Sequence, residues 1–346
     1  MTHQKLTSTI RREITQSYKD LKAKYPTLLH QNFWGLMIFI FSITAIGTAS
    51  YLWWANMLPT WALFLINAFF FGVLHELEHD LIHWMYFKKQ KVVHHTLIGV
   101  IWLLRPLTIN PWMRRKLHYH HHKFSGSLHD VEERGVTNGE RWGFKRLLLT
   151  ADLVVGGIFR ASSMLKDVSK EVKTGNLTLF QGKKLKQYAI LGLFPITIAA
   201  HVILYLFFGN IFLQFLDVQF NTGVHLPEIL IEILNASNAI IFIILLPNLI
   251  RQFSLHFITS NLHYFGDVEQ GNVIEQTQIL NAWWTLPFQV FCFFFGWTHA
   301  IHHFVVNETF YIRHLARKKA HKIMKENGVR FNDLGTFRRA NRFRAI

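Results

Sequence analysis

Four long apolar stretches limit the folds that this chain can adopt. They span residues 33–54, 59–80, 188–208 and 229–250. The first carries no charged side chain, and its length suffices to cross a hydrocarbon core of about 30 Å at about 1.5 Å per helical residue. The second is apolar through Leu74 and is predicted to continue as a helix to His79. A buried soluble core is the alternative, but uncharged runs of this length between basic segments are typical of membrane spans.

The basic residues lie in three blocks outside these stretches. Of the 37 Lys and Arg, six fall in residues 1–30, nineteen in 81–187 and twelve in 251–346. The short connections around 54–60 and 209–228 contain none. By the positive-inside rule, both termini, the middle segment and every histidine cluster are predicted to be cytoplasmic, in the inner or plasma membrane if the protein is bacterial.

This distribution predicts the organisation of the chain. We expect a cytoplasmic N-terminal segment (1–32), a membrane domain (33–310) and a basic cytoplasmic C-terminal segment (311–346). The membrane domain is predicted to be all-α, with two transmembrane hairpins and a cytoplasmic helical cap. Two shorter apolar pieces, 94–104 and 283–297, fit interfacial or re-entrant segments.

Composition excludes several classes of protein. The formal net charge is +16, but the basic residues are not interleaved with a recognisable nucleic-acid module, so we expect no nucleic-acid partner. The single cysteine, Cys292, excludes a disulfide framework or an iron–sulfur cluster supplied by this chain alone. The polar start of the sequence predicts no cleavable signal peptide.

Histidines recur in clusters beside the apolar stretches. The pattern H-x-x-H-H occurs twice, the run HELEH ends the second stretch, and a lone histidine follows in NLHYFGD. Neutral imidazole is the commonest nitrogen ligand for iron and zinc, and nine such ligands suit two ions. The predicted ligands are His75, His79, His118, His121, His122, His263, His299, His302 and His303.

Helical spacing gives each cluster an expected geometry. His75 and His79 are four residues apart and share a helix face, which His83 continues as a spare candidate. In each H-x-x-H-H box we expect the first and fourth histidines to share one face, and the fifth to reach a second ion. A solvated basic tract is the alternative for residues 118–122, but the same spacing recurs near residue 300 in an apolar setting.

Ligation by histidine alone, with open positions, favours iron that handles oxygen over structural zinc. Asp80 and Asp267 are predicted to accept the free N–H of ligating imidazoles. Further carboxylates near the boxes are Glu76, Glu78, Asp130 and Glu132. Ordinary histidines are predicted at His3, His30, His201, His225, His314 and His321, whereas supporting roles stay open for His94, His95, His120, His129 and His256.

With these motifs the chain resembles the membrane-bound fatty acid desaturase/hydroxylase superfamily over roughly residues 30–320. The resemblance rests on HELEH, HYHHH, the lone His263 and HAIHH, in this order beside the spans. It implies a non-haem di-iron centre, molecular oxygen as co-substrate, and an acyl or alkyl substrate drawn from the lipid bilayer. Glu76 departs from desaturases, where Asp often follows the first histidine, and HELEH looks more like the first box of alkane monooxygenases. The four-span layout and both H-x-x-H-H boxes are closer to acyl desaturases.

The sequence therefore predicts an oxygen-dependent di-iron desaturase that introduces a double bond into a fatty acyl chain. A di-iron hydroxylase of an alkyl, acyl or carotenoid substrate is the alternative. A non-redox protein, such as a metal transporter or a membrane zinc hydrolase, is disfavoured. A transporter would place ionisable ligands near the middle of the membrane, whereas the histidine clusters here lie at one edge of the spans. Phe69, Phe70 and Phe71 could line a slot for an acyl chain or face lipid.

No b-type cytochrome domain, CxxC rubredoxin pattern or glycine-rich flavin fingerprint occurs in the sequence. We therefore expect a separate electron donor, a ferredoxin, rubredoxin or b-type cytochrome with its reductase. The basic runs 313–319 and 338–344 are candidate docking sites for an acidic donor. Attraction to anionic lipid heads is the alternative function of these runs.

Overall fold

A computed structural model describes residues 3–137, 139–151, 154–177 and 192–344. Within these ranges the secondary structure is helical, and β pairing is limited to two isolated bridges. The all-α prediction is confirmed. The helices are α1 (His3–Lys24), α2 (Gln31–Trp54), α3 (Thr60–Ile82), α4 (Lys91–Leu104), α5 (Pro111–Phe124), α6 (Val131–Gly135), α7 (Phe144–Ala151), α8 (Val155–Lys173), α9 (Ile196–Phe220), α10 (Glu228–Ala236), α11 (Asn238–Leu262), α12 (Val273–Gln276), α13 (Leu286–Phe291), α14 (Phe295–Phe304) and α15 (Phe310–Glu326).

Four of the described helices, α2, α3, α9 and α11, are long and apolar enough to cross a membrane. The first two agree with the predicted spans to within two residues. The other two begin and end later than the predicted 188–208 and 229–250, and residues 188–191 lie outside the described residues. Hydropathy misplaced them because α9 continues through polar residues such as Gln214 and Asp217, and because α11 buries Arg251 inside the protein rather than in lipid. Helices α7 and α8 are long and apolar enough to cross a membrane only if they are taken together, and they are bent by 106° relative to each other.

Helices α3 and α11 pack side by side, and polar contacts fix their register. The Asn67 side chain donates to the Ile243 carbonyl at 2.9 Å. Both helices end beside His299, whose ring centroid lies 5.7 Å from that of His79 and 5.0 Å from that of His263. The two helices therefore run in the same direction, and both deliver histidines to one end of the membrane domain.

The two ends of the chain pack together on this histidine-bearing end. Apolar residues of α1, α14 and α15 form one buried core. Arg11 donates from Nε to the Phe304 carbonyl at 2.8 Å, and Lys22 pairs with Glu308 at 2.7 Å. The structure thus places both terminal helices on one side of the four apolar helices; that this side is cytoplasmic stays a prediction.

The two shorter apolar pieces form helices too short to span a bilayer. Residues 94–104 belong to α4, which has 14 residues. The second piece is broken between α13 and α14, where Phe293 and Phe294 adopt positive φ angles. This break lets the Phe291 carbonyl approach α3 at Gly72, where a Cβ atom would lie only 2.5 Å from the carbonyl oxygen.

We expect Gly72→Ala to destabilise the protein, because the added methyl group meets backbone that cannot rotate away. Overpacking of this kind costs about 1–3 kcal/mol. Thermal unfolding of the purified protein in detergent measures the effect. Gly47→Ala is the matched control, since Gly47 lies in α2 with nothing within 4 Å of its Cβ position. Equal melting temperatures for the two variants would contradict the close α3–α13 contact.

Candidate metal centre

Eight histidines meet in two groups of four. Within each group, one nitrogen of each ring lies within 4.8 Å of the corresponding nitrogens of the other three. Seven of the eight residues are buried, and His83 is half-buried. We call the first group cluster A and the second cluster B. Cluster A is His79, His83, His118 and His302, and cluster B is His121, His263, His299 and His303.

His122 extends cluster A. Its Nε2 lies 3.1 Å from Nε2 of His118 and 3.1 Å from Nε2 of His302. Eight of the nine predicted ligands therefore join the two clusters, and the spare candidate His83 enters cluster A. The ninth, His75, lies outside both clusters but lines the cavity beside them.

The two H-x-x-H-H boxes divide their histidines between the clusters. In α5, the first and fifth histidines, His118 and His122, go to cluster A. In α14, the first and fifth, His299 and His303, go to cluster B. The fourth histidine of each box belongs to the other cluster: His121 to cluster B and His302 to cluster A. Our expectation that the first and fourth share a face was wrong, because at 3.6 residues per turn positions i and i+4 are better aligned than i and i+3.

The nitrogen spacing fits bound metal ions. In cluster B, the Nε2 atoms of neighbouring imidazoles are 3.2–3.4 Å apart. Four nitrogens placed tetrahedrally at about 2.1 Å from an ion lie about 3.4 Å from one another. In cluster A, Nε2 of His302 lies 3.0 Å from Nε2 of His83, and the adjoining His122 lies 3.1 Å from both His118 and His302. Each cluster therefore presents a set of converging nitrogen donors of the right dimensions for one ion.

A short acidic helix orients three of these imidazoles. Glu132 lies 2.9 Å from His118 Nδ1, and Asp130, the N-cap residue of α6, lies 2.7 Å from His121 Nδ1. Glu133 lies 2.9 Å from His263 Nδ1. A carboxylate on Nδ1 keeps the proton there and leaves the Nε2 lone pair free for a metal.

Two histidines depart from this pattern, because their Nδ1 atoms face arginines. Arg105 Nη2 lies 2.9 Å from His75 Nδ1, and Arg313 Nη1 lies 3.2 Å from His302 Nδ1. A guanidinium only donates, so each contact places the imidazole proton on Nε2. Metal binding through either Nε2 requires the proton to move to Nδ1 and the arginine contact to give way.

The carboxylates predicted to orient imidazoles have different partners. Asp80 accepts from the Phe310 backbone N–H at 2.7 Å and from Arg313 at 3.1 Å, and so acts on His302 through that arginine. Asp267 accepts from the backbone N–H groups of Phe343 and Arg344. These contacts tie down the end of the chain, and among the described residues Asp267 makes no contact with an imidazole. The role predicted for Asp267 is therefore wrong in this structure.

Burial keeps most of these imidazoles neutral. It lowers the pKa of His299 and His303 well below the ordinary value and that of His263 to about 3. At His121 burial also acts to lower the pKa, but Asp130 and its neighbouring carboxylates outweigh it and raise the pKa to about 10. Asp130 thus makes His121 the most basic imidazole of cluster B.

A cavity of about 270 Å³ adjoins both clusters. It is lined by members of each cluster, by apolar side chains such as Leu117 and Phe295, and by four arginines: Arg105, Arg114, Arg160 and Arg251. Of the three phenylalanines considered for an acyl slot, Phe71 is fully buried. The other two, Phe69 and Phe70, line a separate apolar groove of about 500 Å³ between α2, α3 and α15.

Sequence reasoning missed several residues of the site. Glu133 stands three residues after Asp130, a capping-box spacing that signals a helix start beside the second histidine box. His201 was predicted to be an ordinary histidine, but α9 begins at Ile196, and His201 lines the cavity near this start. Arg313 was assigned to a solvent-exposed basic run, and it is buried against Asp80.

Comparison with protein-family models matches residues 52–335 to the fatty acid desaturase family. The matched range contains all nine predicted ligands, His83 and the acidic helix α6. No curated protein matches the chain. The resemblance carried by the histidine boxes is confirmed by a match that covers well over half of the sequence. The chain belongs to the fatty acid desaturase family.

Proposed function

We propose that this protein is a non-haem di-iron, oxygen-dependent desaturase that introduces a double bond into a fatty acyl chain. The observation that carries the proposal is the pair of four-histidine clusters beside one cavity, in a chain of the fatty acid desaturase family. Clusters A and B each hold one iron. His122 adds a donor to cluster A, and His75 remains a candidate ligand at the cavity wall.

Two irons would supply the oxidising power that an inert alkyl C–H bond demands. The overall reaction removes two hydrogens from adjacent carbons and, with two electrons and two protons from outside, reduces one O₂ to two waters. The chain's own residues orient the ligands through α6, exclude water by burying the clusters, and hold one methylene beside them with apolar groups such as Leu117 and Phe295.

The site is proposed to face the cytoplasm, where a reductant is available. The positive-inside distribution supports this orientation, and the packing of α1 against α15 supports one location for both termini. An acidic ferredoxin, rubredoxin or cytochrome docks on exposed lysines of α15, among them Lys318, Lys319 and Lys322. Arg313 is excluded from this docking face because it is buried.

Product analysis tests the reaction. Lipids of cells that express the protein under ¹⁸O₂ are compared by mass spectrometry with those of cells that express an inactive His303→Ala variant. We expect acyl chains that have lost two hydrogens and carry no ¹⁸O. An alcohol that retains ¹⁸O would contradict desaturation and assign the hydroxylase activity instead.

His303→Ala tests the assignment of iron to cluster B. Removing one of four donors from a buried site should reduce bound iron from two ions to about one per chain, and activity by at least about 100-fold. Iron is measured by plasma emission spectroscopy on the purified protein. His225→Ala, at an exposed histidine remote from the clusters, is the control. Zinc, or full iron in His303→Ala, would contradict the assignment.

Asp130→Ala tests the acidic helix. The variant frees His121 Nδ1 and removes the cap of α6, so iron affinity should fall about 10- to 100-fold. Competition with a chelator measures the affinity. Asp267→Ala is a matched carboxylate control that should bind iron as the wild type does, since Asp267 contacts only backbone N–H groups near the end of the chain. Equal losses in both variants would argue against a specific role for α6.

A further inference from the structure

Arg251 is a charged side chain in the interior of an apolar helix. It lies near the middle of α11 and is fully buried. Asn67 on α3 is hydrogen-bonded to Ile243 on α11. His75 follows Asn67 by eight residues, and Arg251 follows Ile243 by eight residues. Because the helices run in parallel, Arg251 lies at the level of His75, and His79 of cluster A lies about 6 Å further along the axis.

The donors of Arg251 are largely unused. Its Nη2 donates to Gln252 at 3.3 Å, whereas Nε and Nη1 have no hydrogen-bond partner among the described residues. The nearby carboxylate of Glu78 is already shared by Arg105 and Arg114. Outside the described ranges the sequence contains a single acidic side chain, Asp152. A buried ionisable group in a membrane helix marks a functional site, and over the described ranges no carboxylate is hydrogen-bonded to this one.

The same guanidinium lines the cavity that adjoins both clusters. Arg105 and Arg114 line it too and share the one carboxylate of Glu78, so three guanidinium groups meet a single carboxylate in the part of the cavity near His75. Leu107, Ile109 and Leu255 make other parts of the wall apolar, and the carboxylates of Glu132 and Glu133 are paired with imidazoles of the clusters. Its volume of about 270 Å³ is below the usual range for drug-sized ligands. It can take a carboxylate and a few methylenes but not a nucleotide or carrier-protein head group.

We propose that this cavity binds the carboxylate of a free fatty acid, with Arg251 as the residue that positions it. The inference rests on the proposed function and narrows its substrate class from acyl lipids in general to unesterified acids. The acid enters head first, so the carbons nearest its carboxylate lie beside the clusters. Arg251 pairs with it through Nε and Nη1, the two donors that have no partner in the described part of the chain.

Equilibrium binding to the iron-loaded protein in nanodiscs tests the proposal, with radiolabelled octanoate, methyl octanoate and octyl phosphate as probes. We expect octanoate to bind at least about tenfold more tightly than the uncharged ester, and more tightly than the phosphate. Arg251→Gln should abolish the preference over the ester, and Arg251→Lys should retain part of it. Equal binding of acid and ester by the wild type overturns the proposal, as does tighter binding of octyl phosphate.

The controls concern Asp152 and the iron content of the protein. Asp152→Asn should leave octanoate binding unchanged; a tenfold gain would mean that Asp152 neutralises Arg251, and would overturn the proposal. Iron is measured on every sample. If the wild-type protein holds two irons and oxidises lipids but binds octanoate no more tightly than methyl octanoate, this inference is overturned and the proposed function stands. Protein that lacks iron overturns the proposed function, and its preference between octanoate and the ester still decides the binding inference.

Discussion

Eight imidazoles gathered into two compact groups, with one nitrogen of each ring within 4.8 Å of the others in its group, cannot all carry a positive charge inside a protein, and this constraint governs the rest of the structure. Burial holds His299 and His303 neutral, so their Nε2 lone pairs converge without positive charge. Converging lone pairs repel one another unless a cation lies between them. The spans, the acidic helix α6 and the terminal helices hold this unfavourable arrangement in place, and a bound metal ion would make it favourable.

Much of the fold could be predicted from the sequence. Hydropathy located both ends of the first two spans to within two residues. The connection between α2 and α3 lies where it was predicted. The second connection does not, since α9 continues to Phe220 through much of the predicted 209–228, and α11 was misplaced because the protein interior accepts Arg251 where lipid would not. Histidine spacing found eight of the nine clustered imidazoles outright, with His83 kept as the spare. Their division between two clusters depended on helix phase and on how α5 faces α14, which a single sequence does not contain.

The C-terminal part of the chain proved to belong to the site rather than to an appended tail. Arg313 on α15 joins Asp80 on α3 to His302 on α14, so one guanidinium connects three helices beside cluster A. Sequence reasoning read this residue as surface charge because its neighbours, Lys318 and Lys319, are exposed. A basic run on an amphipathic helix thus contains both buried and solvent-exposed side chains, and only the packing of the helix shows which are which.

Asp130 performs two tasks with one carboxylate, since it caps α6 and accepts from His121. The first turn of that helix and the orientation of a cluster B imidazole are therefore thermodynamically linked. Whatever binds at cluster B also stabilises the turn between α5 and α6, and whatever frays that turn loosens the cluster. On the proposed function, iron loading and the ordering of this segment would occur as a single cooperative event, and a chain short of iron would expose the segment to proteases before the spans unfold.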